Sequence, residues 1–380
     1  MPTRVVILGA GFGGLELSTR LADEVPDEVE VTLIDKNDSF IFGFSKLDVM
    51  FGKQTVDDVK LQYRDIAKPS VQFRQETITS IDPVAKRVVT DKGSYDADIL
   101  VVALGADLAP EATPGLLDGG GYEFYTPEGA FRLRDVLPDF KGGVVVIGVL
   151  GGFFKCPPAP YETAFLMHDL AECKGVLDTT SIYVVSPLPM PIPISQEVSN
   201  EILGMLAEKG IENWGSSLIT DLDPNAKVAH LKDGRELAYD LFLAIPVHKA
   251  PDVVVESGLT DDGWIAVDRA TFATKFPGVY AVGDVTNAPV PRAGVFAEGE
   301  AKTVADILIA SLEDAELPGP YEGAATCYME IGDEIVWHVR VNFLGGDTPT
   351  AEFGPPSGEG AIEKREFGET RRRRWFGHEV

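Results

Sequence analysis

The sequence predicts an α/β fold built from two nested strand–turn–helix–strand units and a C-terminal segment. Three observations predict it. An apolar run enters a glycine turn almost at once, in "RVVILGAGFGG". A second apolar run, "KGGVVVIGVLGG", begins at Lys141 and starts the same way. Each is followed by short strand-and-turn patterns that close on an apolar strand, "ADILVVALGA" in the first case and "YDLFLAIP" in the second.

Composition sets the bounds. The chain has 380 residues, 44% of them hydrophobic, enough for two domains with a large core. Thirty-nine glycines suit a fold rich in tight turns. A formal net charge of -27 argues against a nucleic-acid partner and reads as solubility or adaptation to salt. Three cysteines are too few for a secreted disulfide scaffold. The N-terminus reads directly into a strand, so no cleavable signal is expected, and no apolar run reaches the ~20 residues that a spanning helix needs. The expectation is a cytoplasmic protein, at most attached to the inner face of a membrane.

The first unit carries Gly9, Gly11 and Gly14 between a strand and a helix, and Asp35 closes the next strand 21 residues past Gly14. Each part has a physical task. Gly9 makes the tight turn, Gly11 lets backbone approach a pyrophosphate, and Gly14 lets helix and strand pack closely. The helix N-terminus faces the phosphate charge. Asp35, followed by Lys36, accepts from ribose hydroxyls. This is a Rossmann-like nucleotide site. Next, "SFIFGFSKLDVMFGK" brings Phe40, Phe42, Phe44 and Phe51 together, either as core or as a wall beside a flat ring. The strand Asp98 to Leu104 ends in "ALGA", with Ala103 and Gly105 at its tip.

The second unit, Lys141 to Pro187, departs from its pattern. Leu150 occupies the place where a bare glycine must let backbone reach a pyrophosphate, and Phe153 and Phe154 follow where a helix should begin. The next strand, "SIYVVS", ends at Ser186 and Pro187 with no acid for a ribose. In place of the glycines stands "KCPPAPYE", which puts Cys156 before a helix and Glu162 in its first turns. Pro157 and Pro158 suit a helix entry. Later, "VYAVGDV" gives a strand and Gly283-Asp284, with a long helix beyond, and "AATCYMEIGD" supplies Cys327. Cys173 reads as a small buried hydrophobe. His248, in "IPVHKAP", reads as a surface-loop histidine or a proton relay. The arginines Arg371 to Arg374, beside Trp375 and Phe376, read as a solvated terminus or as a surface for phosphate or anionic lipid.

Taken together, "GAGFGG", "ALGA" and "VYAVGDV" in this order resemble the two-dinucleotide-binding-domain flavoproteins over essentially the whole chain. Within them, "KCPPAPYE" and the late Cys327 resemble the sulfide:quinone oxidoreductases and the flavoprotein subunit of flavocytochrome c sulfide dehydrogenases. The resemblance implies FAD, held through Gly9, Gly11, Gly14, Asp35, Lys36, Ala103, Gly105, Gly283 and Asp284. It implies an FAD domain from residues 1–107 and 245–320, a degenerate second domain at 108–244, and a closing segment at 321–380. It also implies catalysis by Cys156, Cys327 and Glu162. Sulfide would attack a Cys156–Cys327 disulfide, Cys156 would keep the new sulfur, and Cys327 would pass electrons through the flavin to a quinone. A thiolate is required, so the helix N-terminus or Lys155 should lower the Cys156 pKa. No metal is called for, and a homodimer is left open. Two features depart from the pattern. No third cysteine precedes Cys156, and long amphipathic C-terminal helices are missing. The competing readings are a type II NADH dehydrogenase, a sulfide dehydrogenase with a cytochrome acceptor, and a non-catalytic flavin or sulfur sensor.

Overall fold

The computed structural model describes residues 1–193 and 195–377. Two five-stranded parallel sheets carry the chain. The first runs in the order Val279–Ala281, Ile99–Val102, Thr3–Leu8, Val29–Asp35, Val71–Gln75. The second runs Tyr122–Glu123, Leu241–Ile245, Gly143–Val149, Thr180–Val185, Glu212–Trp214. The strands read as unbroken apolar runs because helices cover both faces of a parallel sheet. Val5, Ile7 and Leu8 are fully buried in the first sheet, and Val145, Val146 and Ile147 in the second.

The two halves share a plan. In each, the first strand lies between its second strand and a later strand that returns after a three-stranded antiparallel meander. The meanders are Ile78–Asp82, Arg87–Thr90, Ser94–Asp96 and Ile219–Asp223, Val228–Leu231, Glu236–Ala238. The short antiparallel pair Asp107–Ala109 with Val247–Lys249 marks where the chain leaves the first sheet and comes back. Its last strand, Val279–Ala281, then completes that sheet, and the first helix, Phe12–Glu24, packs along the long helix Gly294–Leu312.

A third layer closes the molecule. The antiparallel strands Ala324–Glu330, Val336–Asn342 and Thr350–Phe353 lead into a polar helix, Gly358–Phe376. Ser357 starts that helix by accepting from the Gly360 N–H, and Gly377 ends it in the left-handed region, φ 68. One face of the helix docks on the protein, while Arg373 and Arg374 stay exposed. Arg374 and the Trp375 indole both bond the buried Glu16 of the first helix, at 2.9 and 3.0 Å, and Arg371 holds Glu298 of the long helix at 2.8 and 3.0 Å. Trp375 and Phe376 are buried. They are paired with acids far away in the chain, which local sequence does not reveal. Among the described residues, no helix is long and apolar enough to cross a membrane.

Candidate active site

The first glycine turn is shaped by close approach. Gly9 has φ +97, and a Cβ there would lie 2.4 Å from the Ala103 carbonyl oxygen. A Cβ on Gly14 would meet the Gly9 oxygen at 1.9 Å, whereas one on Gly11 would meet nothing within 4 Å. Gly9 and Gly14 therefore hold the fold, and Gly11 borders open space. Asp35 braces the turn: its carboxylate accepts from Ala10 N–H at 2.8 Å and from the backbone and side chain of Asn37 at 2.9 Å. Lys36 lies exposed beyond it and does not line the cavity described next.

A cavity of about 380 Å³ opens from Gly11. Ala103 and Gly105 line it, as do Gly283, Asp284 and the start of the long helix, Gly294 to Ala297. Gly283, at φ +78, donates its N–H to the buried Glu300. The Asp284 Oδ1 is buried without a partner among the described residues, and burial raises the Asp284 pKa against the pull of Lys155 and Arg292. A bare glycine edge, a helix N-terminus and an unpartnered buried acid oxygen fit the phosphate and ribityl part of a dinucleotide.

The same cavity reaches Cys156, Glu162 and Cys327. All three cysteines are free thiols, and Cys173 is exposed at its helix end rather than buried. Cys156 is held in the left-handed region, φ 55, a costly conformation for a side-chain-bearing residue. Its N–H donates to the Arg292 carbonyl at 2.7 Å, and its own carbonyl accepts from Ala159 at 2.8 Å. Cys156 is exposed to the open cavity, yet protein crowds its thiol on the other sides. That crowding first, then Glu162 and Cys327, pushes its pKa up to about 12. Burial pushes Cys327 up to about 11.

The expected lowering of the Cys156 pKa is thus overturned. The helix starts at Ala159, whose N–H does pull the Cys156 pKa down but by less than burial raises it, and Lys155 turns its Nζ to the Ala106 carbonyl at 2.9 Å. The cation that does pull the Cys156 pKa down is Lys46. Nor is Glu162 an exposed helix acid. It is 3% exposed and accepts from the Glu330 N–H at 3.1 Å and from Lys364 Nζ at 3.0 Å. Lys364 also reaches Glu330 at 3.4 Å, and Lys53 bonds the other oxygen of Glu330. Burial pushes the neighbouring Asp48 up to about 6.

The failed second glycine turn is filled by side chain. Leu150 is buried and its N–H donates to the Ile245 carbonyl at 2.9 Å. Phe154 is buried, whereas Phe153 is 70% exposed, its ring 5.4 Å from the Arg292 guanidinium. At the end of the next strand, the Ser186 hydroxyl accepts from the Leu188 N–H, which caps the turn. The chain belongs to the pyridine nucleotide-disulphide oxidoreductase family. Residues 3–303 match the family model, described as "Pyridine nucleotide-disulphide oxidoreductase".

Relatives divide between two activities. The mitochondrial sulfide:quinone oxidoreductase of Dictyostelium discoideum is 23% identical over 342 residues, covering 86% of this chain and 74% of the relative. A type II NADH:quinone oxidoreductase of Staphylococcus saprophyticus is 37% identical over 234 residues, 55% of each chain. The crystal structure of the sulfide:quinone oxidoreductase from Aquifex aeolicus superposes with a TM-score of 0.84 at 20% identity, covering 99% of this chain and 93% of that one. The protein is a flavin-dependent oxidoreductase of this family, with FAD as its cofactor.

Other site residues carry no local sequence signal. Tyr125, which donates its hydroxyl to the Lys155 carbonyl at 2.8 Å, steadies the residue before Cys156. His248 is neither a surface-loop residue nor free to relay. It is buried, its Nδ1–H donates to the Pro246 carbonyl at 2.8 Å, and its Nε2 accepts from the Lys155 N–H at 3.3 Å. Burial and the cations Lys155, Arg292 and Lys46 push its pKa down to about 3, so the ring stays neutral. Phe40 and Phe42 are core, stacked edge-on with Phe12 and each other, while Phe40 and Phe44 also border the cavity and Phe51 packs at the edge of another cluster. Among the described residues no group of His, Cys, Asp or Glu is arranged to hold a metal.

Proposed function

We propose that this flavoprotein oxidises sulfide through Cys156 and Cys327, with Glu162 as base and a quinone as the final acceptor. The observation that carries the reading is that two cysteines 171 residues apart, on separate elements, face one cavity with the glycine turn and the Gly283-Asp284 pair. In the oxidised state the pair is a disulfide. Hydrogen sulfide attacks the Cys156 sulfur and gives a proton to Glu162 as the new sulfur–sulfur bond forms. The Cys156–Cys327 bond breaks, and its electron pair leaves on Cys327. Sulfide sulfur is oxidised and the disulfide is reduced. FAD, held along Gly11, Ala103, Gly105, Gly283 and Asp284, supplies the acceptor for the two electrons left on Cys327. The site pushes both thiol pKa values upward, so reduced cysteines keep their protons unless a nearby base removes them. Glu162, ion-paired but still open to the cavity, suits that task. For the quinone, the aromatic wall of Phe40, Phe44 and Phe367 offers a flat apolar ring a place to lie.

A second reading, oxidation of NADH, is favoured by the Staphylococcus relative and opposed by the Leu150 side chain in the second turn. The test is anaerobic reduction of the purified yellow protein by sulfide and by NADH in parallel. The proposal expects sulfide to bleach the flavin and NADH to leave it oxidised. Cys156→Ser and Cys327→Ser should each abolish bleaching by sulfide while the protein still holds its flavin. Rapid bleaching by NADH, or sulfide reactivity that survives both substitutions, overturns it.

A further inference from the structure

Lys46 lies on the short helix Gly43–Met50, beside the aromatic wall, and lines the cavity shared by the cysteines. An ammonium has three donors. Among the described residues, Lys46 spends one, on the Tyr125 backbone carbonyl, and stacks 5.8 Å from the centroid of that tyrosine ring. No carboxylate among those residues pairs with it. A cation in an apolar cavity pays a desolvation cost that only an anion recovers. The charged groups that face it are Lys155 from the Cys156 loop, Glu123 and Glu128 from the segment entering the next helix, and Cys156 itself. Burial and Lys155 push its pKa down to about 8, against the pull of Glu123, Cys156 and Glu128. Lys155 Nζ bonds the Ala106 carbonyl, and Lys46, not Lys155, is the cation that pulls on Cys156.

We propose that Lys46 is the counter-ion for anionic sulfur on Cys156. It stabilises first the thiolate and then the persulfide anion. The persulfide part of this assignment rests on the sulfide reading above. There, Glu162 first releases to water the proton it took from hydrogen sulfide; the terminal sulfur of Cys156–S–SH then gives its own proton to Glu162, no electron moves, and the charge left on sulfur faces the Lys46 ammonium. Glu162 and Lys46 thus divide the work: the carboxylate takes the proton and the ammonium holds the charge. Glu162 opposes negative charge on Cys156 and Lys46 favours it.

The experiment follows alkylation, so it needs no turnover. The holoenzyme is reduced anaerobically with a phosphine and treated with iodoacetamide across neutral to alkaline pH. Modification of Cys156 and Cys327 is read separately by peptide mass spectrometry, in wild type, Lys46→Met and Lys46→Arg. At a fixed pH below about 8, where the Lys46 ammonium keeps its proton, Lys46→Met should slow modification of Cys156 about tenfold, equivalent to about one unit of pKa. Lys46→Arg should keep it within about twofold, because charge and reach survive. Cys327, whose pKa is raised by burial alone, should not change. Unchanged Cys156 reactivity in Lys46→Met overturns the assignment, and so does an equal fall at both cysteines, which would signal a collapsed cavity. Sulfide bleaching of the wild type is scored alongside. If it fails while Lys46→Met slows Cys156 alone, the sulfide reading falls and the Lys46–Cys156 coupling stands. If it succeeds while Cys156 alkylates as before, the Lys46 assignment falls.

Discussion

Removing the Lys364 charge tests how the closing layer is held over the site. Its ammonium is 10% exposed and lies between Glu162, 4% exposed, and Glu330, 8% exposed. Lys364→Met strands two buried carboxylates unequally. Glu330 still has Lys53, but Glu162 keeps only the Glu330 N–H at 3.1 Å. Breaking a buried pair by removing one partner costs about 3–5 kcal/mol, because an uncompensated charge remains. With Glu330 covered by Lys53, the loss should fall near the lower end, about 3 kcal/mol. Adding Glu162→Gln removes the stranded charge and should recover more than half of that loss, as expected when both partners of a buried pair go. Glu330→Gln alone should cost less than Lys364→Met, because Lys364 keeps Glu162. Urea unfolding of the holoenzyme, followed by fluorescence of the buried Trp337 and Trp375, measures all four proteins. A Lys364→Met midpoint equal to wild type, or a double variant less stable than Lys364→Met, refutes the reasoning.

Two further outcomes follow from the nucleotide end. Gly11→Val places its side chain in open space, so the purified protein should fold normally and carry little flavin. Gly14→Ala drives a methyl into the Gly9 carbonyl and should lose soluble protein first; flavin content and thermal midpoint together separate the two. Burial, opposed by the Gly283 N–H, pushes Glu300 up to about 8 from an ordinary value of 4.5. The folded protein therefore binds this proton more tightly than the unfolded chain, and the stability so gained is full below about 4.5 and lost as pH rises through 8. Glu300→Gln keeps an acceptor for Gly283 and should flatten that decline in thermal scans from acid to alkaline pH. A slope identical to wild type would remove Glu300 as its source.

Local chemistry made much of the fold readable. The strand-and-glycine turns, the late Gly-Asp pair and the failed second turn at Leu150 each depend on neighbours in sequence, and each lies where its pattern implies. Features made by distant pairs were not readable. Nothing near Glu162 in the sequence shows that it is buried and paired, because its cation, Lys364, is 202 residues away. The partners of Arg374 and Trp375 were hidden because Glu16 is more than 350 residues from them, and that of Arg371 because Glu298 is 73 away. His248 reads as loop because its burial and its partner on Nε2, the Lys155 N–H, come from 93 residues away. The Cys156 thiol misled for a related reason. Adjacent Lys155 suggested a nearby positive charge, but that ammonium bonds a carbonyl, and the cation that acts on the thiol comes from a helix 110 residues earlier.

The bond from Glu16 to Arg374 and Trp375 has a consequence for how the protein is made. Glu16 leaves the ribosome more than 350 residues before its partners. Until they emerge, the first helix carries an acid on a face that must later be sealed from water, with no cation to meet it. Over that interval the unit lacks the contacts that tie it to the closing layer. A chain released before Arg374 should keep every motif of the family yet bury Glu16 without its cation, at a cost to the stability of the first sheet and its helices.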